Sequence, residues 1–172
     1  MATTYTLISS NTLSSSAASV TFSSIPSTYT DLVLRISART ATTGQAIDTI
    51  TFQFNSSGGT AYSVTRLSGD GSTAASSRNS GVSVINGFFV LDAADATANT
   101  FGSVEFYVPS YTASQNKPVS VIGAQEDNNA SARIAATAGL WQNTAAITSI
   151  TATGGGNFVS GSSFYLYGIK NS

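Results

Sequence analysis

The stretch Asp31-Leu32-Val33-Leu34-Arg35-Ile36-Ser37-Ala38-Arg39 decides the fold class. Extended, it puts Leu32, Leu34, Ile36 and Ala38 on one side and Asp31, Val33, Arg35, Ser37 and Arg39 on the other. A repeat of two is the side-chain period of a β-strand with one face in a core and one towards solvent.

The same period recurs outward in both directions. Ile50, Phe52 and Phe54 alternate with Thr49, Thr51 and Gln53, and the run stops at Asn55-Ser56-Ser57-Gly58-Gly59, whose glycines suit a tight turn. Val104, Phe106 and Val108 alternate with Glu105 and Tyr107 before Pro109 ends the strand, and Val119 with Val121 starts another after Pro118. Residues 5–9, 19–22, 62–67, 82–91, 133–141, 147–152 and 164–169 have similar character. Residues 11–16 read as a turn, and the Gly154-Gly155-Gly156 run as part of the entry to the last strand. The segment 68–81, with Gly69-Asp70-Gly71, reads as a loop long enough for a functional excursion. Asp92 to Asn99, DAADATAN, is the one place where a single helical turn competes, since Ala favours helix and Asp favours its cap. Many short strands with polar turns predict an all-β chain, an antiparallel β-sandwich that is jelly-roll-like, as one domain over residues 1–172. A small closed barrel is the competing architecture.

Composition bounds the function. Only 9% of the 172 residues are charged, where an ordinary domain has roughly 25%, yet 41% are hydrophobic, with nine Phe and seven Tyr. Such a chain folds, because it has the aromatic surface that disordered chains lack. Seven basic against eight acidic residues, with no basic run, leave little for counterion release, so nucleic acid is not an expected partner. The opening MATTYTLISS has neither a basic leader nor the apolar run of a signal peptide, and no stretch approaches a membrane span, so a soluble protein made in the cytoplasm is expected. With no Cys there is no disulfide, and packing or oligomerisation must supply stability.

With no His and no Cys the chain cannot build a Ser-His-Asp triad, a Cys-His pair, or a zinc site with nitrogen or sulfur ligands. Most enzyme classes fall here, and no catalytic residue, cofactor or metal is expected. A carboxylate-pair glycosidase needs no histidine, which leaves Glu105, Glu126 and Asp127. Glu105 lies on the polar side of its strand and Glu126-Asp127 in an Asn-rich turn, so solvated surface or an ion pair with an arginine is the simpler reading. Gly69-Asp70-Gly71-Ser72 lacks the carboxylate series of a calcium loop and the lysine of a phosphate loop, and a plain turn is the simpler reading. Asn55-Ser56-Ser57 and Asn129-Ala130-Ser131 match the glycosylation acceptor pattern, which a chain rich in Ser and Asn produces by chance. Tyr111 and Trp141 flank loops where a ring could stack on a sugar, or could pack the rim of the core instead. With Arg35 and Glu105 they form the set of candidate ligand or partner contacts. Hydroxyls and amides make hydrogen bonds without the desolvation cost of an ion, which suits subunit contacts.

Two stretches, IPSTYTDLVL at residues 25–34 and GSSFYLYGIK at residues 161–170, resemble a family of tailed-phage virion proteins, many from phages of cyanobacteria. Tyr5, Phe54-Asn55 and Tyr62-Ser63 fall in the matching places between and before them, and the resemblance runs nearly end to end. It implies a virion component assembled in the host cytoplasm: a capsid decoration (cement) protein bound to the major capsid protein, or a tail or fibre piece that contacts other tail proteins or host glycan. No heptad stalk accompanies the globular part, which fits decoration better. The expected assembly is a homotrimer at three-fold positions between capsid subunits, closed by a heterologous interface.

Overall fold

In a computed structural model, which describes residues 4–129 and 131–170, the deciding stretch forms a strand at Asp31–Ala38 whose Leu32, Leu34, Ile36 and Ala38 are buried. Ala130, the middle of the second acceptor triplet, lies outside the described residues. Twelve strands run through the described residues. In chain order they are β1 (Tyr5–Thr12), β2 (Ala17–Phe22), β3 (Asp31–Ala38), β4 (Ile47–Phe54), β5 (Tyr62–Gly69) and β6 (Ala74–Val82). There follow β7 (Ile85–Asp92), β8 (Gly102–Val108), β9 (Lys117–Glu126), β10 (Ala132–Trp141), β11 (Ile150–Phe158) and β12 (Ser163–Ile169).

The strands make two antiparallel sheets packed as a sandwich. The large sheet has the order β1-β12-β3-β8-β9-β10-β5-β6 and the small one β2-β11-β4-β7. Without the hairpins β5-β6 and β9-β10, four strands remain in each sheet, β1-β12-β3-β8 facing β2-β11-β4-β7, an order compatible with a jelly roll. The two hairpins extend the large sheet on one side. Their inner surface is covered by β7, which packs against β8, β9, β10 and β5.

Aromatic rings fill the core. Phe52 lies 4.1 Å from Phe106, Phe54 sits 5.4 Å from Trp141, and Phe158 meets Phe164 edge-on at 5.0 Å. Three glycines let β7 come close to the large sheet: a Cβ on Gly102 would lie 2.2 Å from the Val90 carbonyl oxygen, on Gly123 2.6 Å from Val90, and on Gly139 2.5 Å from Ile85. The two stretches that carry the family resemblance are neighbours, because β3 pairs with β12 from Asp31↔Ile169 to Ser37↔Ser163. Tyr29 lies against Gly168, where any Cβ would be 2.3 Å from the ring.

Four sequence expectations need correction. Residues 68–81 are not a loop: β6 pairs with β5 from Gly69↔Ala74 to Tyr62↔Val82, leaving only 70–73 as the turn. An edge strand needs only backbone pairing on one side, so small polar residues suffice there. Asp92 ends β7, and residues 93–99 form turns and no helix. The Arg39 guanidinium donates to the carbonyls of Ala94, Ala96, Thr97 and Thr100, which holds the segment in an irregular path around its fork. Gly154, Gly155 and Gly156 lie within β11, because the buried Asp48 carboxylate occupies the space a Gly155 side chain would need. Val33, on the outer side, is buried all the same, flanked by Tyr167 and Tyr107 in the same cross-strand row.

Candidate functional site

Residues opposite one another across paired strands project to the same face, so the registers define what the outside of the large sheet presents. One row runs across all eight strands: Ser10, Tyr165, Arg35, Glu105, Ile122, Ala136, Leu67 and Ser76. A second row, one step along, holds Ser163, Ser37, Ser103, Ala124, Ile134 and Gly69. The face therefore has a polar half on β12, β3 and β8 and an apolar half on β9, β10 and β5. The exposed large hydrophobic residues, Tyr5, Leu7, Leu67, Ile122, Ile134 and Tyr165, all belong to this face.

In the polar half, the Arg35 guanidinium donates to Glu105 Oε2 at 2.9 Å, and both side chains are about half exposed, at 59% and 47%. They line a shallow groove with Ser37, Ser103, Ser163 and Tyr165. Arg35 and Glu105 are thus brought together. Tyr111 and Trp141 are not brought to them, and neither is open to a ligand: their exposures are 0% and 1%. Trp141 stacks with Tyr62 and donates its indole N–H to Ser57 Oγ at 3.3 Å, while the Tyr111 hydroxyl donates to the Pro26 carbonyl. Burial pushes the Tyr111 hydroxyl pKa up. A sugar-stacking role for either ring is corrected to a core role. The exposed ring beside the ion pair is Tyr165, which sequence reading did not single out. Its outward position in the row of Arg35 is fixed only by the pairing of β12 with β3.

The other candidates resolve into local structure. The Asp70 carboxylate accepts from the backbone N–H of Ser72 and Thr73 and from the Ser72 hydroxyl, which close the β5-β6 turn. These donors hold its pKa down at about 2. Glu126 accepts from Asn128 N–H, and Asp127, buried, accepts from Thr97 and Asn129 N–H. In the first glycosylation triplet, Asn55 Nδ2 donates to the Ala146 carbonyl and its Oδ1 accepts from Thr148 and Ser149 N–H. The amide nitrogen is already engaged.

Two buried ionic groups stand out. The Lys117 ammonium, fully buried, donates to the carbonyls of Ala113, Gln115 and Thr144, and desolvation pushes its pKa down. Asp92 accepts from Gln125 Nε2 at 2.7 Å, but its second oxygen and Gln125 Oε1 have no partner. Burial, with the Asp127 charge nearby, outweighs the Gln125 bond and the Arg39 charge and holds the Asp92 pKa above the ordinary carboxylate value. Among the described residues no group of three or more acidic side chains is arranged to hold a metal ion.

The chain is thus of the antiparallel β-sandwich class, with one side of its large sheet open and divided into a polar and an apolar half. Comparison with protein-family models, with curated proteins and with solved structures finds no match to it.

Proposed function

We propose that this chain is a structural virion protein of a tailed phage, a decoration (cement) protein seated on the major capsid protein. The observation that carries the reading is the open face of the large sheet. Its exposed Leu67, Ile122 and Ile134 lie together on β9, β10 and β5 among hydroxyls and alanines, and on the other half Arg35 and Glu105 already neutralise each other. A surface of this kind is suited to broad, dry contact, because little charge must be desolvated when it is covered. The resemblance of residues 25–34 and 161–170 to virion proteins supports that setting. The test is to count copies per purified particle and to locate the chain by imaging labelled particles. Hundreds of copies over the shell are expected; a few dozen, or a position at the tail, would overturn the decoration reading.

A second reading, a tail module that recognises host surface carbohydrate, is favoured by the groove beside Arg35 and Glu105. Exposed Tyr165 offers a ring face, and the ion pair and three serines offer directional hydrogen bonds. Glycan binding that disappears in Tyr165→Ala, with no binding to undecorated capsids, would select it over decoration.

A further inference from the structure

We infer that the apolar half of the open face, on β9, β10 and β5, pairs with the same half of a second copy of this chain. Three observations converge on that occupant. The first is pattern. Ala136 lies between Ile122 and Leu67 in one row, and Ile134 lies between Ala124 and Gly69 in the next. Within these two rows large and small side chains therefore alternate in both directions, like the squares of a checkerboard. The large ones stand clear of the sheet, with Leu67, Ile122 and Ile134 at 60%, 56% and 61% exposure. Two facing sheets fill the space between them only when large residues of one enter gaps of the other. A checkerboard turned over onto itself meets that condition, and a self-matching patch is what a two-fold interface requires.

The second is area. An outward residue of a sheet covers about 33 Å², from the spacing between strands and between alternate residues. The outward positions of β9, β10, β5 and β6, about eighteen of them, then span about 600 Å² before side-chain relief is added. A standard specific interface covers about 600–1,000 Å² on each partner. With β6 included, the patch reaches the lower end of that range without help from the polar half.

The third is charge. Arg78 and Glu126 are the charged residues that point outward on these four strands, one on β6 and one at the end of β9. The middle of the patch contains none, so the surface that matches it is equally uncharged and apolar. A second copy has that composition by construction. Pairing through this half leaves the groove at Arg35 and Glu105 outside the apolar contact.

The inference refines the decoration reading by giving the apolar half of the open face to a second copy and leaving the polar half for the capsid, and the two fail separately, since mass in solution decides the one and position on the particle the other. The experiment is sedimentation equilibrium of the whole chain from about 1 to 100 µM, the range in which an interface of this size declares itself. Two copies, twice 17.6 kDa, are expected. Ala136→Glu puts a carboxylate into the central gap and is expected to raise the dissociation constant at least about 100-fold, because an unpaired charge would be buried. Leu67→Ser provides a second, milder route to the same loss, and Tyr165→Ser, on the polar half, is expected to leave the mass unchanged. All three positions point away from the core, so the fluorescence of buried Trp141 should be native in each. A wild-type chain that stays single at about 100 µM, a mass of three copies as in the ring expected from the sequence, or an Ala136→Glu protein that still pairs would each overturn the inference.

Discussion

Gly123→Ala tests the packing of β7 on the large sheet. The new Cβ would lie 2.6 and 2.7 Å from Val90 Cγ2 and Cβ and 3.0 Å from Cγ1. Ordinary carbon contacts need about 3.5–4.0 Å, so β7 or Val90 must retreat by about 1 Å. Val90 has 0% exposure, and retreat in a close-packed core opens gaps elsewhere. One extra methyl in such a place costs about 1–3 kcal/mol. For a chain of this length that lowers the melting temperature by about 3–10 °C. The decisive variant is the double change with Val90→Ala, which removes the two methyls that the new Cβ strikes and leaves only the contact with Val90 Cβ at 2.7 Å. Alone, Val90→Ala should destabilise by about 1–3 kcal/mol through its cavity. Combined, the two changes should cost at least about 1 kcal/mol less than their sum, since each relieves the other. Urea unfolding followed by Trp141 fluorescence and circular dichroism gives the four stabilities. If the two costs simply add, the glycines do not exist to admit β7 and the account of that packing is wrong.

Arg39→Lys keeps the charge but loses the fork that gathers four carbonyls and the Thr100 hydroxyl; a cost of about 2 kcal/mol and faster amide exchange across residues 94–100 are expected, and unchanged exchange would refute the role. Asp92 has a raised pKa in the folded state, so its ionised form is penalised above that pKa. The penalty is relieved as pH falls through the raised value towards the ordinary 3.8; Asp92→Asn should flatten this part of the stability curve, and a variant with the wild-type pH dependence would contradict it. Glu105→Gln should change stability by no more than about 0.5 kcal/mol, because a half-exposed ion pair is screened by water; thermal melts showing a larger loss would mean that the pair supports the sheet itself.

The alternation at residues 31–39 and in the Phe and Val runs is enough to read half-buried strands, because a period of two has one structural meaning, while the choice of a sandwich over a closed barrel depends on how the strands pair. What it could not supply was neighbourhood. Arg35 and Glu105 each stand on the polar side of a strand in the sequence, but that they touch depends on β3 pairing with β8. Val33 shows the same limit, for its burial comes from tyrosines on two other strands. Trp141 and Tyr111 looked accessible because they border loops, yet large rings at strand ends can turn inward, and these do. The strand β6 escaped notice because Ala, Ser and Asn carry no alternating signal. In β9, Val121 and Ile122 are both apolar, and only the cover provided by β7 decides which of them is core and which is surface.

The positions of β11 and β12 have a consequence for how the chain comes into being. The strand β12 lies between β1 and β3, and β11 between β2 and β4. On the ribosome, the early strands must therefore wait with vacant places beside them until the closing segment emerges, since neither sheet can zip up in order of synthesis. The edges of β1, β3, β2 and β4 that border these places stay available to wrong partners for that time. A surface poor in charge offers little repulsion to keep such chains apart, so the yield of folded protein should depend on how dilute the newly made chains are.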